Sequence, residues 1–501
     1  MENTPGSTLE TTFVTRLPVR LLISTAAFGV LFACLFARQS IGLNALCFTL
    51  LVYVLAWLNR KAFVVKTFRD EPLIYLACIP VVFLSVMLFT GSTGLNVLSV
   101  LVILFVMFVQ YLVVSGVALH PWYRPAFLVD IFFGVINRAV IGIGSFVAGV
   151  LNAIFKGGRK NRKGVIIGVL TGIVLLIVII PILASADENM AKQVDEFFRD
   201  VDIGTILLYA FLFLFGASLT AGLIANAKLK NVTGPLTAKQ SEGKRPIESV
   251  TSSIALSFAS VIYVLFAAIQ FSYFFEPQET LRSVLGLTSS EYAVRGFSEM
   301  MFITCLNFVL LSLSMRYTKK REDQKPQPYL KTLYVLLVAF NFVILASSHL
   351  RISLYEESFG FNVSRFLSHS FMLLLALFNL IMLIRVFSER VKPAKLFAVT
   401  ALIYFCTIVA INPEHFVVQH NIARYEQGEK IDTAYLFDLS GEALAGACAF
   451  VEVHPEAYDL SAQQEARWTY NILQERADEY GWQSLNLAEQ HALDRLQSLI
   501  E

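Results

Sequence analysis

The sequence predicts an all-α fold, a polytopic bundle of about eleven transmembrane helices with an amphipathic interfacial helix and a small helical C-terminal extramembrane domain. Three observations lead there. Hydrophobic residues make up 56% of the chain and charged residues only 16%, well below the roughly 25% charged residues of soluble domains. Apolar stretches recur near the length of about 20 residues that crosses a bilayer as a helix. The loops between them alternate between basic and poorly basic. Lipid leaves only helices and closed barrels as ways to satisfy a spanning backbone, and apolar runs of this length read as helices.

Residues 1–20 form a polar stub that ends in Arg16 and Arg20. The N-terminal membrane half, 21–225, holds expected spans at 21–36, 41–58, 73–90, 98–117, 164–184 and 203–225. The first lacks a small-residue cleavage site and reads as a retained helix. Pro80 kinks the third by removing a helix hydrogen bond. In the fifth, Gly164, Gly168 and Gly172 form a small-residue stripe, matched by Ala217, Ala221 and Ala225 in the sixth; such stripes let helices approach closely, and the two are expected to pack together. The polar, turn-rich segment 226–249 is an inside linker. The C-terminal half, 250–411, carries spans at 250–271, 298–314, 332–348, 366–384 and 396–411. Composition changes after Ile411. The tail 412–501 has helical patterning in 461–477 and 487–500, with Trp468, Tyr470, Ile472, Leu473 and Trp482 as its expected core.

Residues 127–155 need a separate argument. They are apolar enough to span, yet Asp130, Gly134, Asn137, Arg138, Ser145 and Asn152 fall on one helical face. His120, Pro121, Trp122, Tyr123 and Arg124 precede them as an interfacial anchor. If the segment lies on the inner surface without crossing, 28 of the 40 Lys and Arg fall in the stub and inside loops, seven in outside loops and five in the tail. Lys/Arg bias sets topology, so the N-terminus is expected inside and the C-terminal domain outside. A twelve-span arrangement with an outside N-terminus is the alternative.

Several chemistries are excluded. The six cysteines show neither a disulfide framework nor zinc spacing. There is no phosphate-binding loop, kinase motif set or HExxH, and no carboxylate lies in any span core. Glu414, His415 and His420 do not share one helix face and lack a third ligand, so no metal site and no cofactor are expected. The depth-located polar residues, chiefly Gln110, Asn307, Asn341, Asn379 and His369, read as helix-to-helix hydrogen-bonding groups. Expected partners are membrane lipid and a second protein meeting residues 412–501, with no nucleic acid.

The topology gathers one polar set near the outer ends of the helices: Asp187, Tyr292, Arg295, Arg351, Tyr355, Asn412, Arg424 and Asp432. The set has two readings. Arg295 and Arg351 could pair an anionic ligand bidentately, or the residues could cap helix ends and tie the tail to the bundle, for example through Asp432. They sit in the stretches LASADE, EYAVRGF, LRISLYEESFGF, NPEHFVVQHNIARY, DTAYLFDLS and GWQSLNLAEQHAL. These stretches, in this order over roughly 160–490, resemble the bacterial membrane families called domains of unknown function 4153 and 4173. The resemblance implies a multi-pass protein of the bacterial cytoplasmic (inner) membrane and supplies no reaction. The expected function is non-enzymatic: sensing, regulation or scaffolding in the envelope. Transport of a small or amphipathic solute comes second, and an intramembrane enzyme acting on a lipid-linked substrate third.

Overall fold

The computed structural model describes residues 17–59, 93–115, 120–124, 126–154, 171–172, 175, 202–225, 246–274, 289–319 and 327–501. The expected spans 73–90 and, apart from three residues, 164–184 lie outside them, as do Asp187 and most of the 226–249 linker. Among the described residues, eight helices are long and apolar enough to cross a membrane. The protein is therefore an all-α, multi-pass helix bundle. It divides into two compact units.

The N-terminal unit comprises 1–77, 97–236 and 476–486. Its described helices are α1 (Val19–Phe36), α2 (Leu43–Leu58), α3 (Thr93–Val114, joining the unit from Val97), α4 (Phe127–Ile131), α5 (Asn137–Ile154) and α6 (Ile203–Ala225). A π-helical turn, Phe132–Ile136, joins α4 to α5. The α6 helix is the hub. Ala217 and Ala221 are fully buried on it, and a Cβ on Gly29 of α1 would lie 2.6 Å from the Phe213 carbonyl oxygen and 2.8 Å from Ala217 Cβ. On another side, a Cβ on Gly142 of α5 would collide with Gly222 Cα and meet the Ser218 carbonyl at 2.7 Å. Ala217 of the stripe thus faces α1, while α5 meets α6 at Ser218 and Gly222. Gly172 of the expected fifth span has nothing within 4 Å of its would-be Cβ, so the expected pairing of the two stripes is not seen there; Gly164 and Gly168 lie outside the described residues. Phe28, Phe32, Phe48 and Phe215 complete the seam.

The helix ends sort into two levels. At one, Arg20 reaches the Leu58 carbonyl and Tyr111 donates to the Leu223 carbonyl at 2.8 Å. At the other, Arg38 pairs with Asp202 at 2.6 Å, and Leu43 N–H donates to the Leu485 carbonyl at 3.0 Å. Helix α1 thus runs opposite to α2 and to α6. The 127–154 stretch meets the first level near both of its ends. Phe127 packs with Val109 and Leu112, and a Cβ on Gly149 would touch Leu17 and Leu22. Its polar side faces protein: Asp130 is 2% and Ser145 1% exposed. Leu128, Phe132, Ile136, Val140, Ile143 and Val147 form an exposed ridge on the opposite side.

The C-terminal unit comprises 78–96, 237–475 and 487–501. Its membrane helices are α7 (Ser249–Phe274), α8 (Ser289–Tyr317), α9 (Pro328–Phe359), α10 (Val363–Phe387) and α11 (Pro393–Ile411). Here α9 is the hub, packed by α7, α8 and α10. Polar side chains fix the contacts. Asn307 donates to Asn341 at 2.7 Å, Asn341 to Asn379 at 3.4 Å, and Asn379 to the Val338 carbonyl at 2.8 Å. Near the starts of α7 and α9 and the end of α8, Ser314 bonds Tyr334 at 2.9 Å and Ser252 bonds Thr318 at 2.5 Å.

The tail adds α12 (Pro413–Glu426), α13 (Thr433–Phe437), α14 (Gly441–Val453), α15 (Leu460–Glu479) and α16 (Leu487–Ile500). Its core is Val418, Leu436, Phe437, Leu444, Ala447, Cys448 and Phe450, closed by Ala462, Ala466, Ala492 and Leu496. The expected tryptophan core is not what forms. Trp468 is 57% and Trp482 62% exposed, while Tyr470 and Leu473 pack only at the edge. Alanines at four-residue spacing carry the contact instead, because a short side chain lets α14 and α16 approach closely. Burial pushes the Cys448 thiol up to about 12.

Candidate functional site at the end of α9

The 32-residue α9 is about 48 Å long, far more than the ~30 Å hydrocarbon core requires. It has turns to spare beyond a single crossing, and its last turns end in a built junction. Gly360 closes α9 at φ 78°, a left-handed conformation that favours glycine, and returns its N–H to the Glu356 carbonyl at 2.8 Å. A Cβ at this position would sit 3.0 Å from Asn421 Oδ1 and 3.3 Å from Arg424 Nη1, so the cap is also where α12 comes closest.

Arg424 of α12 grips the exposed end of α9. Its Nη1 donates to the Glu356 carbonyl at 2.8 Å and its Nη2 to the Glu357 carbonyl at 2.9 Å. The last carbonyls of a helix lack partners within it, and a cation there also meets the negative end of the helix dipole. One turn earlier, Asn421 Oδ1 accepts from Phe361 N–H and its Nδ2 donates to the Phe361 carbonyl, both at 2.9 Å. The Tyr435 hydroxyl accepts from Val363 N–H at 3.1 Å, and burial raises its pKa. Arg365 donates to the Gly360 carbonyl and lies 4.1 Å from the Tyr355 ring centroid.

Behind this clasp stand three titratable side chains in series. His369 Nε2 lies 3.1 Å from Glu356 Oε2. His369 Nδ1 lies 2.8 Å from His349 Nδ1. Glu356 is 8% exposed, and its other oxygen, Oε1, has no hydrogen-bond partner among the described residues.

The expected polar set is brought together only in part. Asp187 is outside the described residues, and Tyr292 and Arg295 lie on α8 with side chains outside them. Arg351 and Tyr355 are half-buried on α9. Asn412 and Asp432 act as helix caps, accepting from His415 N–H and Tyr435 N–H. Glu414 accepts from the Ser440 N–H and hydroxyl. Among the described side chains of the set, Arg424 is the one whose guanidinium is seen on main-chain carbonyls. Sequence reasoning reached His369 as a depth-located hydrogen-bonding group and missed its pairing with His349 and Glu356. One signal was available: His349 and Glu356 are seven residues apart, two helical turns, and so share a face.

A family model described as "Domain of unknown function (DUF4153)" matches residues 22–447. The chain belongs to this family. The match covers every described membrane helix and the clasp residues of α12 and α13, so the junction lies within the family domain, which names no reaction. No curated protein and no solved structure matches the chain.

Proposed function

We propose that this multi-pass membrane protein is a non-enzymatic scaffold or regulator of the bacterial inner membrane, which displays its C-terminal helices, 412–501, to another envelope protein. In this reading the N-terminus is inside and the tail outside, the 127–155 helix rests on the inner surface with its apolar ridge in lipid, and the polar set around α9 is a structural lock. The observation that carries it is the fate of the amides at membrane depth. Asn307, Asn341 and Asn379 bond one another and the Val338 carbonyl in sequence. Amides used in this way bind helices together and leave little to compensate a charge at depth, which costs at least about 2.5–3.5 kcal/mol. Transport of a solute is the second reading; broken helices meeting at the midplane would favour it.

Reconstitution into liposomes tests the choice. The expected result is no dissipation or use of a proton or sodium gradient. A gradient-dependent flux that disappears on Asn341→Ala would put transport first.

A further inference from the structure

We propose that His349, His369 and Glu356 form a proton-accepting relay, in which a proton taken from water at His349 neutralises the buried Glu356 carboxylate. The relay occupies the end of α9 and the first turns of α10, and nothing in the family description assigns it.

Placement supplies the entry. Counting about 20 residues of hydrocarbon crossing from Pro328 puts His349 at the boundary of the apolar layer, and His349 is exposed. Hydrogen-bond chemistry supplies the path. Two Nδ1 atoms at 2.8 Å need one proton between them, since two lone pairs or two N–H groups repel there. A neutral imidazole has one donor nitrogen and one acceptor nitrogen. With the carboxylate ionised, His369 Nε2–H donates to Glu356 Oε2, so His369 Nδ1 accepts from His349 Nδ1–H. The remaining nitrogen, His349 Nε2, carries a lone pair.

The step balances. A proton bonds to His349 Nε2. The His349 Nδ1–H bond breaks as a new bond forms to His369 Nδ1. The His369 Nε2–H bond breaks as the proton passes to Glu356 Oε2. Both rings end neutral with their tautomers exchanged, the carboxyl is neutral, and each contact is again a donor facing an acceptor. Geometry marks the destination: Oε1 of the buried Glu356 has no hydrogen-bond partner among the described residues, and a buried polar atom without one is costly. A second proton has no such place, because both Nδ1 atoms would then carry hydrogen.

The charged and titratable neighbours have other partners. Arg365 is on the Gly360 carbonyl and the Tyr355 ring. Arg424 is on the α9 carbonyls, with Glu429 at 3.8 Å. Arg351 is half-buried on the same helix and has a partner of its own. From α12, His420 stacks on Phe416; from α11, Tyr404 bonds Ser370. Among the described side chains of α8, the neighbour is Met300, whose sulfur accepts from Ser348.

The full chain in lipid nanodiscs is brought from about pH 8 to about pH 5, the imidazole range, while infrared spectroscopy follows the protonated-carboxyl stretch. In the wild type a carboxyl band is expected to appear, and in Glu356→Gln it is absent. His349→Gln keeps a hydrogen-bonding group but cannot pass a proton; the band is expected on the order of a hundredfold more slowly, the ordinary worth of a positioned proton-transfer group. Melting temperatures establish that each variant is folded. An unchanged band in Glu356→Gln, or unchanged kinetics in His349→Gln, overturns the relay. So does a zinc-dependent rise in melting temperature that His349→Gln abolishes, which would make the imidazole pair a metal site.

Discussion

The two units hold their membrane helices together by opposite means. In the N-terminal unit, α6 meets α1 and α5 through residues with almost no side chain, Gly29 against Ala217 and Gly142 against Gly222. In the C-terminal unit, α9 meets α8 and α10 through amides and hydroxyls. Lipid tails are as apolar as leucine, so burial of hydrocarbon drives neither association; close packing and interhelical hydrogen bonds remain. The difference teaches where each half is fragile. A backbone contact cannot yield to an added atom, whereas a side-chain bond can be lost one at a time.

The sharpest way to break the comparison is Gly142→Ala. The new methyl must displace the α6 backbone, and overpacking of this kind costs about 1–3 kcal/mol or more. A clear fall in melting temperature is expected, with Gly94→Ala as the control, since nothing lies within 4 Å of its would-be Cβ. Arg424→Ala comes next. Two charge-assisted hydrogen bonds to the end carbonyls of α9 are lost, one part-buried and one exposed, so the loss is that of a single such bond, about 1.5–3 kcal/mol at most; faster proteolysis of the tail would show it, and Arg424→Lys should restore only part, lacking the planar fork. Asn341→Leu should cost less, about 0.6 kcal/mol and at most about 1.7, the range of interhelical hydrogen bonds in membranes. A thermal effect larger than that of Gly142→Ala would reverse the ranking. The smallest effect concerns pH. The Ala462 N–H and then the Ser461 hydroxyl hold Asp459 below the usual carboxylate range. Its contribution is therefore present above the unfolded pKa and fades as pH falls through the folded one; Asp459→Asn should flatten that acid limb in a melting series.

Much of the architecture was legible because hydropathy and length act locally. The α9–α10 hairpin, the tail boundary near Ile411 and the α12 cluster all follow from residues read in order. Partner choice was not legible in the same way. Arg295, Arg351 and Arg424 look alike in a sequence, and only the left-handed turn at Gly360, which brings α12 against the end of α9, selects Arg424. Trp468 and Trp482 carry the largest apolar surfaces in the tail, yet Ala462, Ala466 and Ala492 are what neighbouring helices can approach. Size predicts burial only where the backbone leaves room.

Cys448 has a practical consequence. The tail contains no other cysteine, and this one is fully buried with its thiol pushed up to about 12. Thiolate, the species that attacks alkylating reagents and disulfides, is then almost absent at neutral pH while the core is closed. The residue is inert in the folded tail and becomes reactive when α14 and α16 part. The tail thus carries its own gauge of local opening, read once the other cysteines, of which Cys34 and Cys305 are exposed, are replaced.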